Sequence, residues 1–127
     1  MISTIGVVAL GGALGATMRH GVNIGTVHYL GHGYPWGTMI VNIVGSLFMG
    51  IMIGKFAQMN QVPYEVRIFL TTGFLGAFTT FSTFSLDFVT LWERGAMLQA
   101  FGYMLISVVF SILALAVGLW IMRSVAS

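Results

Sequence analysis

Residues 73–85 read GFLGAFTTFSTFS. Five of the last seven carry a hydroxyl, and Phe78, Phe81 and Phe84 recur at every third position. The stretch lies inside an otherwise apolar segment running from about Val66 to Trp92. Glycine weakens a helix, and Gly73 and Gly76 both fall here; Thr and Ser offer the backbone alternative hydrogen-bond partners. The segment is therefore expected to be a membrane span whose helix breaks. Broken helices persist in a bilayer where the freed carbonyl and N–H groups line a cavity or hold an ion.

The rest of the chain agrees with a membrane setting. Its 127 residues allow one domain, 1–127, and they are 57% hydrophobic and 6% charged, with mean hydropathy +0.96. Soluble domains carry about 25% charged residues, so this chain has too little charge to cover a soluble surface. It has no Cys, which excludes disulfides, thiolate metal sites and a cysteine nucleophile. The net charge of +2 is scattered and forms no basic patch for nucleic acid.

A span needs about 20 apolar residues. Four segments qualify, at about Ile2–Val27, Trp36–Ala57, Val66–Trp92 and Met97–Met122. The first is not expected to be a cleavable signal, because no Lys or Arg precedes Arg19 and the apolar run is long. Lys55 and Arg123 fall at helix ends, where their stems can snorkel. Trp36, Trp92 and Trp120 fall near interfaces, as an aromatic belt places them. Four spans put Lys55, Arg67 and Arg123 on one side of the membrane, with Arg94, and Arg19 if it reaches the interface, on the other. The positive-inside bias is thus close to nil, which predicts insertion in both orientations and a pair of oppositely oriented chains. GxxxG pairs at Gly11/Gly15, Gly21/Gly25 and Gly50/Gly54 predict close helix packing.

Polar groups at membrane depth are the candidates for function. Thr38, Asn42 and Ser46 follow at intervals of four on the second span, hence on one helical face. Tyr103, Ser107 and Ser111 do the same on the fourth, along about 12 Å of helix. Each stripe reads equally as interhelical bonding or as the lining of a hydrated path. Arg19, expected near the far end of its span, either snorkels or sets a positive charge near a pore mouth, which attracts anions. Asp87 is the sole acid inside a span and reads as interfacial; without a ring of carboxylates a cation channel has little support. No catalytic constellation is present. His20, His28 and His32 cluster near one connector without acids at the spacing of a helical zinc site; His28 and His32 are four apart, but the glycines and Pro35 around them argue against a helix there. The Phe stripe reads first as packing, and second as ring edges, which are positive, turned toward a small anion.

Taken in order, GGALGATMR, VNIVGS and GFLGAFTTFSTFS resemble the three signature stretches of the Fluc/CrcB fluoride channel family, over essentially the whole chain. Ala77 and Leu47 depart from the residues that many members carry, away from the ion path. The resemblance implies an all-α antiparallel dual-topology homodimer, four spans per chain with the third broken, in the bacterial inner membrane. It implies two fluoride pathways with Phe81 and Phe84 as aromatic boxes and Asn42 as the pore amide. Tyr103, Ser107 and Ser111 would form a polar track near Thr38, with Arg19 at the aqueous vestibule. It further implies a sodium ion at the dimer centre on the backbone carbonyls of Gly76 and Thr79 from both chains. Two rivals remain at this stage. One is a small drug–proton antiporter, although the first span has no Asp or Glu to carry a proton. The other is a membrane accessory protein without transport.

Overall fold

A computed structural model describes residues 2–126. It consists of α1 (Ile2–Leu30), α2 (Trp36–Gln58), α3 (Tyr64–Ile68), a π-helical stretch (Phe69–Leu75), α4 (Gly76–Phe78), α5 (Phe81–Glu93) and α6 (Met97–Ala126). The described residues hold four helical runs long and apolar enough to cross a membrane: Ser3–Leu30, Trp36–Gln58, Tyr64–Glu93 and Met97–Val125. The four expected spans are therefore present, each somewhat longer than expected. The third is interrupted between Phe78 and Phe81.

The spans pair by backbone approach. The most extensive pairing is α2 on α6, followed by α1 on the π-helical stretch. A Cβ on Gly50 would fall 2.9 Å from the Leu115 carbonyl carbon, and one on Gly118 2.7 Å from the Ile51 nitrogen. A Cβ on Gly11 would come 2.6 Å from the Phe69 carbonyl oxygen, and one on Gly15 3.0 Å from the Phe78 nitrogen. Lipid gives no hydrophobic incentive for helices to associate, so such close contact supplies the van der Waals energy instead. Two of the three GxxxG pairs thus work within the chain. The third, Gly21/Gly25, has nothing within 4 Å of either added Cβ.

One end of the bundle is closed by well-formed connectors. Gly95, at φ +80°, ends α5 in a conformation that favours glycine. Its N–H donates to the Trp92 carbonyl at 3.0 Å, and the Ala96 N–H donates to the Leu91 carbonyl at 3.0 Å, which is a Schellman pattern. Arg94 Nη2 then donates to the Gly33 carbonyl at 3.0 Å and ties this turn to the α1–α2 connector. Beneath these turns lies a small buried cluster of Met39, Leu91, Ala100 and Tyr103, with Phe84 and Phe88 against it. At the other end the Gln58 amide donates to the Met122 carbonyl, and the Arg67 guanidinium lies 5.0 Å from the Phe56 ring centroid.

Two expectations about α1 change. The helix continues to Leu30, so Arg19 lies well inside it rather than near its end, and His28 is helical while His32 lies beyond the helix. The glycines and Pro35 end the helix only after His28, because Gly31, at φ +82°, is the first residue to leave it.

Gly50→Leu and Gly118→Leu should each strongly lower the thermal unfolding temperature, since overpacking a tight interior costs about 1–3 kcal/mol or more. Gly6→Ala, placed in open space, should leave it unchanged. Melting curves of purified protein in one detergent check all three.

Candidate functional site

The third span stops being helical at two residues. Thr79 (φ −88°, ψ 161°) and Thr80 (φ −155°, ψ 122°) are extended. The glycines expected to cause the break do not: Gly73 lies within the π-helical stretch and Gly76 is helical, at φ −62° and ψ −35°. Side chains compete for the backbone instead. The Thr80 N–H donates to Asn42 Oδ1 at 2.8 Å, and Asn42 Nδ2 donates back to the Thr80 carbonyl at 3.0 Å. Thr80 Oγ1 accepts from the Thr83 N–H at 3.3 Å and caps α5. On the preceding side, Thr79 N–H and Oγ1 both donate to the Leu75 carbonyl, at 3.1 and 3.0 Å. Arg19 Nε donates to the Ala77 carbonyl at 3.0 Å.

An unpaired peptide group at this depth costs several kcal/mol. Asn42 and Arg19 together hold the break open by meeting that demand from two other helices. In an uninterrupted helix the Gly76 carbonyl would accept from the Thr80 N–H. Here that N–H is given to Asn42, so the carbonyl is released, and Gly76 is exposed on the chain.

Beside the break lies a cavity of about 400 Å³. Asn42 and Ser46 line it from α2, Phe81 and Phe84 from α5, and Ser107 and Ser111 from α6. Thr79 and Thr80 complete the wall at the break itself. The Ser107 and Ser111 hydroxyl oxygens are buried and have no hydrogen-bond partner. Other hydroxyls in the spans behave differently: those of Thr17, Thr71, Thr79 and Ser85 bond back to the carbonyl four residues earlier. The two serines forgo that option and keep donors free at the cavity. Asn42 spends one of its two N–H donors on Thr80 and keeps the other. The Phe81 and Phe84 ring centroids lie 5.7 Å apart at a tilt of 45°. Phe84 is half-buried, whereas Phe81 is 78% exposed on the single chain.

Both sequence stripes divide in space. Thr38 does not line this cavity but a cleft of about 190 Å³ with Arg19, His20, Asn23, Thr80 and Thr83. Thr80 is the wall shared by cleft and cavity. Tyr103 is fully buried, and its hydroxyl donates to Asp87 Oδ2 at 3.0 Å. A phenol has one proton, so Tyr103 is not a free donor in this arrangement. Its ring instead backs Phe84, with centroids 5.3 Å apart. The sequence reading placed Asp87 at the interface and gave it no partner. Its position three residues after Phe84, and hence on the same face of α5, was the available signal. Asp87 opens onto a further cleft of about 250 Å³, beside His32, Tyr34 and Arg94. Burial raises the Tyr34 phenol above its ordinary pKa, which keeps it neutral.

Among the described residues no group of three His, Cys, Asp or Glu is placed to hold a metal ion. A cation near the break would meet neutral oxygens, the released Gly76 carbonyl among them.

Comparison with known proteins gives one consistent answer. The sequence profile of the family described as CrcB-like protein, Camphor Resistance (CrcB), matches residues 6–119. A protein of Mesorhizobium japonicum named fluoride-specific ion channel FluC is 56% identical over 117 residues, which is 92% of this chain and 94% of that protein. Proteins of the same name from Chelativorans sp. (strain BNC1) and Hyphomonas neptunium are 52% and 49% identical, each over 93% of this chain and 94% of their own length.

Removing an unpartnered buried hydroxyl removes a desolvation penalty, so Ser107→Ala should hold or raise stability, by about 1 kcal/mol at most. Asn42→Ala orphans two backbone groups and should lower stability by about 2–4 kcal/mol. Denaturation of the two variants beside the parent protein checks this opposition in sign.

Proposed function

The chain belongs to the CrcB-like protein family, and from that premise we propose that it is a passive, fluoride-selective channel which relieves fluoride toxicity across the bacterial inner membrane. Its named relatives are ion channels, not enzymes. The observation that carries the reading is the pair of buried, unpartnered hydroxyls of Ser107 and Ser111 beside Phe81, Phe84 and Asn42. Moving a small anion unaided into hydrocarbon costs tens of kcal/mol. The serines and the second Asn42 N–H supply donors that replace water in steps. The ring edges of Phe81 and Phe84 add weak positive potential. None of these groups carries a full charge, so no step holds the ion for long. Narrowness between the rings rejects larger halides. Thr38 and Arg19 belong to the adjoining cleft, through which the anion reaches the cavity. Tyr103 serves as a wall that fixes Phe84.

The functional form is an antiparallel dual-topology homodimer with two such pathways. The balanced Lys and Arg distribution supports it, as do the exposed Phe81, Gly76 and Ser82. Polar surface at membrane depth calls for protein, not lipid, against it. Gly76 and Thr79 carbonyls from the two chains would hold a sodium ion at the dimer centre, where it would supply positive charge to offset the carbonyl dipoles. A proton-coupled antiporter would need a carboxylate on the pathway, and Asp87 is instead held by Tyr103 beside the neighbouring cleft.

Fluoride efflux from proteoliposomes, read with a fluoride electrode under a potassium diffusion potential, tests the reading. Fast, ionophore-dependent release with chloride retained is expected. Release without ionophore would point to coupled exchange, and no release would remove the channel. Ser107→Ala, Phe81→Ile and Phe84→Ile should each slow release about tenfold, equivalent to about 1.4 kcal/mol of lost stabilisation. A C-terminal tag should be found on both faces of the membrane.

A further inference from the structure

We propose that Asp87 is a positioning residue for the pathway: through the Tyr103 hydroxyl it fixes the ring of Phe84, and so sets the gap between Phe81 and Phe84 that sieves halides. This rests on the channel reading above. Asp87 lines the 250 Å³ cleft and neither the 400 Å³ cavity nor the 190 Å³ cleft, so its carboxylate stands off the pathway. Its hydrogen bond nevertheless ends behind a pathway ring. Asp87 Oδ2 accepts from the Tyr103 hydroxyl at 3.0 Å, and the Tyr103 and Phe84 ring centroids lie 5.3 Å apart at a tilt of 38°. Phe84 in turn lies 5.7 Å from Phe81.

The opening turn of α5 needs such a tether. It carries Phe81 and Phe84, and it follows the extended residues Thr79 and Thr80, so no continuous helix fixes it from the N-terminal side. Asn42 and the Thr80 cap hold its start. Asp87, three residues past Phe84 and on the same face, is the next point of attachment, and it ties α5 to α6. Tyr103 is a firm anchor: it is fully buried, and Tyr34 meets it edge to face with centroids 5.8 Å apart. An acid within a membrane span is costly and marks a function or a specific partner. A bond to an ionised acceptor is stronger than one to a neutral acceptor, which suits a group that must hold a neighbouring side chain in one geometry. Without the bond, the Tyr103 ring and the Phe84 ring packed on it are held by contact alone.

The test is fluoride and chloride release from proteoliposomes, each scaled to the amount of monodisperse protein reconstituted. Asp87→Ala and Tyr103→Phe delete the same bond from its two ends, and Tyr103→Phe keeps the ring. Both should slow fluoride release about three- to tenfold, within what misplacing a site group by about 1 Å costs, and both should pass chloride that the parent protein retains. The Asp87→Ala/Tyr103→Phe double variant should be no worse than either single one. Asp87→Asn, which keeps an acceptor oxygen, should keep the parent fluoride rate and chloride retention. Variants that only lower the yield of folded protein, with the fluoride-to-chloride ratio unchanged, would overturn the proposal. So would an Asp87→Asn variant as altered as Asp87→Ala, which would assign the effect to charge, or single effects that multiply in the double variant. Each of these outcomes leaves the channel intact. A parent protein that releases no fluoride would overturn the channel reading and this proposal together.

Discussion

The reciprocal pairing of the Asn42 amide with the Thr80 peptide group is the interaction on which the rest of the structure depends. A transmembrane helix ordinarily satisfies its own backbone, and any interruption exposes N–H and C=O groups that lipid cannot meet. Here one side chain supplies both an acceptor and a donor, at 2.8 and 3.0 Å, and so lets the third span turn aside for two residues. The proposed pathway lies around that turn. It restarts the helix as α5, with Phe81 and Phe84 on the cavity, and releases the Gly76 carbonyl.

The hydroxyl groups of the spans fall into two populations with different physics. Thr17, Thr71, Thr79 and Ser85 fold back onto their own helices and are silent toward their surroundings. Ser107 and Ser111 are buried without partners, which is unfavourable for a static fold. A site that must exchange a dehydrated anion rapidly needs such groups, because a donor already bonded within the protein has nothing left to offer. On the proposed channel reading, stability and conduction pull in opposite directions at these two side chains.

Backbone proximity carries the bundle. Gly11, Gly15, Gly50 and Gly118 let helices meet at distances that leave no room for a side chain. The large apolar residues are mostly on the outside, among them Leu10, Leu98, Leu105 and Ile112. Among the described residues the buried apolar side chains are few: the cluster near the Gly31 and Gly95 turns, and Val41, Phe56, Ile68, Leu75 and Phe78 elsewhere in the bundle. That distribution suits a protein solvated by lipid, since apolar burial between helices gains little in hydrocarbon.

Much of this was legible in the sequence. Hydropathy placed four spans, and the hydroxyl-rich run 79–85 located the interruption. Serine spacing on α6 identified the two cavity donors. Other features needed the assembled chain. Gly73 and Gly76 looked like the helix breakers, but glycine tolerates helical angles, and it is Asn42, 38 residues away, that claims the Thr80 N–H. Tyr103 shares a helical face with Ser107, yet its hydroxyl donates to Asp87 on α5, which separates their roles. Thr38 shares a face with Asn42, yet it opens onto a different cleft. The sequence by itself determined the solvent of the protein, the number of crossings and the family, because these follow from composition, run length and local motif. Only the tertiary structure decided which polar groups are spent and which remain free, because a hydrogen bond is exclusive and its partner is chosen by proximity across helices.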